Sequence, residues 1–171
     1  ARLALAEAAI QGAARLNPNA GETHLARAQN LYRGYLDYNG ALAELETARQ
    51  TLPNDFRVPR LTGLIQRRQG HWEESTRNLE RSAELNPRNI ETRVTIATNY
   101  TFLRRYADLK SALASTLAVF PKDLDTRIWP AYAEFRAKAD TRPLHQMINS
   151  IRATNPTPTP NIAEWWLACA L

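Results

Sequence analysis

Apolar residues along this chain return every third or fourth place and rarely alternate. In the opening ARLALAEAAIQGAARL, the set Leu3, Ala6, Ile10 and Ala13 makes one helical stripe. Residues three and four apart share a face of a helix, so this spacing predicts helix rather than strand. Read to the end, the pattern predicts paired helices over 2–16, 22–34, 38–51, 56–69, 72–85, 90–103, 107–119, 124–138, 141–153 and 161–170. The stretch NPTPTPN reads as a stiff extended connector, because each proline disfavours helix at the residue before it.

The helix pairs also repeat. Pro53, Pro87 and Pro121 are 34 places apart, and Tyr38, Trp72 and Tyr106 keep the same step. So do Leu45, Leu79 and Leu113, and Ala48, Ser82 and Thr116; Gly63 and Ala97 are one step apart. Each slot has a physical reason. A small residue at Gly63 or Ala97 lets two helices approach closely. An aromatic at 38, 72 or 106 fills space near the turn. Proline stops one helix and sets the entry to the next. Asn54, Asn86 and Asn89 are placed to cap neighbouring ends. One pair cannot cover its own apolar stripe, and stacking the next pair does so.

In RLTGLIQRRQGHWEESTRNLERSAELNPRN, residues Gly63, Gly70, Trp72, Leu79 and Pro87 fall where the tetratricopeptide repeat has its signature residues. The chain resembles that family over most of its length. The resemblance implies an all-α, right-handed α-solenoid of antiparallel helix pairs, about nine or ten helices in one segment. Full repeats fall at 22–55, 56–89 and 90–123, after a partial repeat over 1–21. A divergent repeat follows at 124–154, then a connector at 155–160 and the start of a further repeat at 161–171. The chain opens inside one helix and closes inside another, which suggests a segment of a longer protein.

In this family the first helix of each repeat lines a concave, partner-binding face. Carried over position by position, that face takes Thr23, Ala26, Asn30, Arg33 and Gly34 from the first full repeat. The second gives Arg57, Arg60, Leu64, Arg67 and Arg68, and the third Glu91, Val94, Thr98, Thr101 and Phe102. The fourth gives Asp125, Ile128, Tyr132, Phe135 and Arg136. The partner-binding residues expected from this set are Asn30, Arg33, Arg57, Arg60, Leu64, Arg67, Arg68, Thr98, Phe102, Tyr132, Phe135 and Arg136. Arginines on one helix suit carboxylates or phosphates, and the aromatics beside them suit an acidic, partly apolar protein or peptide. The alternative is a solvated face, with arginines paired to Glu73, Glu74 or Glu91. Members that clamp a chaperone's terminal carboxylate use two Lys, two Asn and an Arg. The matching positions here are Ala26, Asn30, Leu61, Glu91 and Thr95, so that ligand class is rejected.

The wording of the repeats is also similar to the repeat regions of bacterial adenylate cyclases, Ser/Thr kinases and transcriptional regulators. That implies a scaffold or regulatory arm of a signalling protein. Self-association is the alternative: the stripe Leu3, Ala6, Ile10, Ala13 at one end, or Trp165, Trp166 and Leu167 at the other, would pair with a second copy. Net charge is +5 and almost all of the 22 basic residues are Arg, which allows nucleic acid. Seventeen acidic residues are mixed among them without a recognition motif, so that class ranks last.

No catalytic constellation is legible. His24, His71 and His145 are scattered, Glu73 and Glu74 suit a helix N-terminus, and Asp123 and Asp125 suit a cap. The expectation is therefore a non-enzyme without metal or cofactor. Cys169 cannot form an internal disulfide, because it has no second cysteine to pair with. No apolar run is long enough to span a bilayer, so this segment is expected to make no membrane contact. The location expected is cytoplasmic, with an extracytoplasmic arm of an anchored parent as the alternative.

Overall fold

The computed structural model describes residues 2–154. The connector and last helix expected over 155–171, with Trp165, Trp166, Leu167 and Cys169, lie outside them. All regular structure among the described residues is helical. The helices are α1 (Arg2–Leu16), α2 (Gly21–Asn30), α3 (Tyr38–Thr51), α4 (Arg57–Arg68) and α5 (Trp72–Leu85). They continue as α6 (Ile90–Phe102), α7 (Tyr106–Val119), α8 (Leu124–Lys138) and α9 (Arg142–Thr154). This is an all-α chain of the α-solenoid class. It divides between Thr92 and Arg93 into two compact units.

In the first unit α2 packs along α3 and α4 along α5, with α1 against α2 and α3 against α4. Leu25, Ala28, Leu45, Ala48, Val58, Leu61 and Ile65 make one core. Small residues allow the close pairing: Ser75 Oγ donates to the carbonyl of Gly63 at 2.7 Å, directly across α4 and α5. In the second unit α8 packs on α7 and α9. Ile128, Ala131, Leu144 and Ile148 form its core with Met147 and Ile151 at the edge.

The ends follow the predicted chemistry in part: Asn89 and Asp123 cap as expected, whereas the side chains of Asn54 and Asn86 make no cap among the described residues and Asp55 takes the place before α4. Asp37 caps α3 by accepting from the Gly40 amide at 2.9 Å. Asn89 caps α6 through the Thr92 amide at 2.9 Å, and Asp123 caps α8 through the Thr126 amide at 2.8 Å. One predicted helix differs. The segment expected as helix over 22–34 is α-helical only to Asn30, then widens into a π turn over Leu31–Tyr35. The widening falls where α1 crowds it: a Cβ on Gly34 would lie 2.2 Å from Leu3 Cδ1.

The turn inside each helix pair needs a left-handed residue. Leu36 (φ 57°), Gly70 (φ 83°), Arg104 (φ 56°) and Ala139 (φ 55°) occupy that slot. Only one is glycine, although a side chain there costs roughly 1–2 kcal/mol. The Cβ of an alanine at 70 would meet nothing within 4 Å, so backbone conformation alone sets the cost. Leu36→Gly should therefore raise stability by about 1 kcal/mol, and Gly70→Ala should lower it by about the same. Urea titration of the two variants checks both signs.

Candidate partner-binding faces

Helix α4 begins after Asp55 and carries Arg57, Arg60, Leu64, Arg67 and Arg68. Each arginine has a partner within the first unit. Arg57 forms a fork on Asp55, with Nε and Nη2 at 2.9 and 2.5 Å, and its backbone amide donates to the same carboxylate. That hydrogen-bonded guanidinium holds Asp55 below the ordinary carboxylate range. Arg60 pairs with Glu91 and keeps a buried Nε without a hydrogen bond.

Arg67 lies 5.7 Å from the centre of the Trp72 ring, a cation–π contact, and its Nε is likewise buried without a partner. Burial first, and the charge of Arg68 second, push its guanidinium down from the ordinary value. Arg68 stays exposed and is held up by the hydroxyl of Tyr32, whose ring is 6.0 Å from that of Tyr38. Arg67, Arg68, Tyr32, Tyr38 and Trp72 thus form one cationic and aromatic cluster, with side chains already fixed. Leu64 is half-buried on the same helix. Arg60 pairs as the solvated-face alternative expected. Tyr38 and Trp72 are cluster members that the spacing had marked only as packing slots.

A second face lies between α1 and α2. Leu3, Ala6 and Ile10 face Ala26, Asn30, Arg33 and Gly34 across an open cavity of about 780 Å³. The α1 stripe is thus not without a neighbour: it is one wall of a groove whose other wall holds the positions assigned to the first full repeat. Thr23, from the same set, is buried. Beside the groove Tyr35 donates to Glu7 at 2.7 Å, which raises the phenol above its usual pKa.

In the second unit Thr98 turns its hydroxyl back to the Val94 carbonyl at 2.8 Å, and Phe102 is 60% exposed. Tyr132 is only 8% exposed. Its ring sits edge-on to Trp129 at 5.9 Å and 6.3 Å from Phe135. Aromatics spaced by three along one helix pack on each other, so Tyr132 contributes packing while Phe135 is half-buried and Arg136 exposed. Ile128 is buried in the core with it.

No protein-family model matches the chain, and no curated protein matches it. Solved structures do. PilF of Pseudomonas aeruginosa superposes with a TM-score of 0.73 at 16% identity, over 92% of this chain and 71% of that one. YrrB, a tetratricopeptide-repeat protein with an unusual peptide-binding site, gives 0.68 at 16% identity, over 91% and 79%. A chain of the Naa15/Naa10 complex bound to HypK-THB gives 0.65 at 17% identity; the match covers 89% of this chain but only 23% of that one. At these identities the likeness concerns the fold: helix pairs repeated along the chain.

Proposed function

We propose, from the premise that this chain has the tetratricopeptide-repeat fold, that it is a non-enzymatic interaction module. It holds a protein or peptide against the first helices of its pairs. The observation that carries this reading is the cluster of Arg67 and Arg68 with Tyr32, Tyr38 and Trp72. One guanidinium against the Trp72 ring and another held by the Tyr32 hydroxyl lose little side-chain freedom when a carboxylate arrives, so an acidic segment with an apolar neighbour is the matching ligand. The role that fits is a scaffold or regulatory arm of a larger bacterial signalling protein, in the cytoplasm. The peptide-binding site of YrrB supports the general mode.

Arg68 is the clean test, because it is exposed while Arg60 and Arg67 are partly built into the packing. The partner captured by the unaltered chain from its own cells is measured against Arg68→Glu by calorimetry. Affinity should fall about tenfold, roughly 1.4 kcal/mol, with an unchanged far-ultraviolet spectrum. Equal affinity would remove α4 from the binding face.

A further inference from the structure

We infer that the cationic and aromatic cluster at the end of α4 binds a phosphorylated side chain of its partner, in preference to an aspartate or glutamate. The inference names the acidic group in the binding mode proposed above and rests on that reading. Both helix pairs that meet there, α2 with α3 and α4 with α5, are complete. Helix α4 treats its four arginines in two ways. Arg57 and Arg60 are neutralised by Asp55 and Glu91. Arg67 and Arg68, consecutive in the last turn, have no carboxylate partner among the described residues. Aromatic rings surround them instead: Trp72 is 5.7 Å from Arg67, and Tyr32 holds Arg68, with Tyr38 at 6.0 Å from Tyr32. A ring face holds a guanidinium in place but cancels none of its charge. The two positive charges are thus kept side by side, and that of Arg68 acts on Arg67. The last carbonyls of α4 favour cations but supply only about half a negative charge.

Charge and donor count select the occupant. One carboxylate would cancel one of the two charges, and it offers two oxygens. A phosphoryl group carries about two negative charges at neutral pH and offers three acceptor oxygens. Three donor groups are at hand. The Nε of Arg67 is buried, which fixes the stem and leaves its terminal nitrogens to make the contact. Arg68 is exposed and presents a second planar fork. The Tyr32 hydroxyl accepts from Arg68 and keeps its own hydrogen to donate. Hydrogen bonds between guanidinium and phosphoryl oxygen are charge-assisted, so each is stronger than a neutral one. Nucleic acid matches the pair less well, because each phosphate of its backbone carries a single charge.

The probes are three pools of fluorescein-labelled short peptides, with mixed apolar residues around a central phosphoserine, glutamate or serine. Fluorescence anisotropy at constant salt should show saturable binding of the phosphoserine pool. The glutamate pool should bind at least about tenfold more weakly, and the serine pool not at all. Arg68→Lys keeps the charge but loses the fork, so it should weaken the phosphoserine pool about fivefold or more. Arg68→Gln should remove the preference over glutamate. Circular dichroism confirms that each variant is folded. Equal binding of the phosphoserine and glutamate pools, a preference that survives Arg68→Gln, or no binding of the phosphoserine pool overturns the inference. So does a single-stranded oligonucleotide that binds more tightly than the phosphoserine pool. Phosphatase treatment of the captured partner reads the same point on the natural ligand, and its affinity should fall about tenfold or more. Unchanged affinity after phosphatase, with the loss in Arg68→Glu intact, removes the phosphoryl claim and leaves the acidic-partner reading in place.

Discussion

Gly63→Leu is expected to destabilise the first unit by about 3 kcal/mol or more and to lower its melting temperature by on the order of 15 °C. Helices α4 and α5 cross at this glycine. A Cβ there would lie 2.8 Å from Leu79 Cγ and 2.9 Å from the carbonyl oxygen of Ser75. The leucine end could shift, but the Ser75 oxygen belongs to the backbone of α5. Ser75 Oγ also holds the Gly63 carbonyl at 2.7 Å, so the two helices cannot separate without breaking that buried bond. Alanine at 63 should cost less, about 1–2 kcal/mol, because only the Cβ must be accommodated. Thermal unfolding followed by circular dichroism reads both. A leucine variant that melts with the unaltered chain would mean that the helices do not cross here.

Leu79→Ala is the second large effect. Its side chain is fully buried, at 0% exposure, against Gly63. Removing it leaves a cavity in a pairing of small residues that has little to collapse with, so the loss should be about 3 kcal/mol. The two sites should also couple. Alanine at 63 should cost less when Leu79 is already alanine, since one of the two close contacts is gone. Urea titration of the four chains of that cycle gives the coupling energy directly. Strict additivity would place Leu79 away from the crossing.

Much of the fold was legible because its punctuation is local. Proline after each second helix and an aromatic at its start act within a few residues of themselves, and the small residue in the first helix acts within its own pair. The predicted bounds of α3 and α5 accordingly agree with those observed, Tyr38–Thr51 and Trp72–Leu85. The left-handed turn slot was legible only at Gly70. At Leu36, Arg104 and Ala139 the surrounding turn imposes a conformation that the residue itself disfavours. That slot steps by 34 from Leu36 to Gly70 to Arg104, then by 35 to Ala139, which marks the fourth repeat as divergent in backbone as well as in sequence.

The candidate site was less legible, because its state depends on neighbours distant in the chain. The spacing placed four arginines on α4. It named Glu91, which Arg60 takes, among the acidic partners of these arginines, but it did not tell that Arg68 meets Tyr32. Nor did it tell that Tyr132 turns into the packing of Trp129 and Phe135. The groove beside α1 was half visible: the stripe of Leu3, Ala6 and Ile10 is plain in the sequence, but its facing wall on α2 and the π turn after it needed the fold.

Hydrogen–deuterium exchange of the chain with and without its captured partner tests the central claim most directly. Bound partner should slow exchange along α2, the π turn after it and α4, at Asn30, Arg33, Arg67 and Arg68, and leave α3 and α5 unchanged beyond their first turns. Slowing confined to α3 and α5, with α2 and α4 exchanging as in the free chain, would contradict the account.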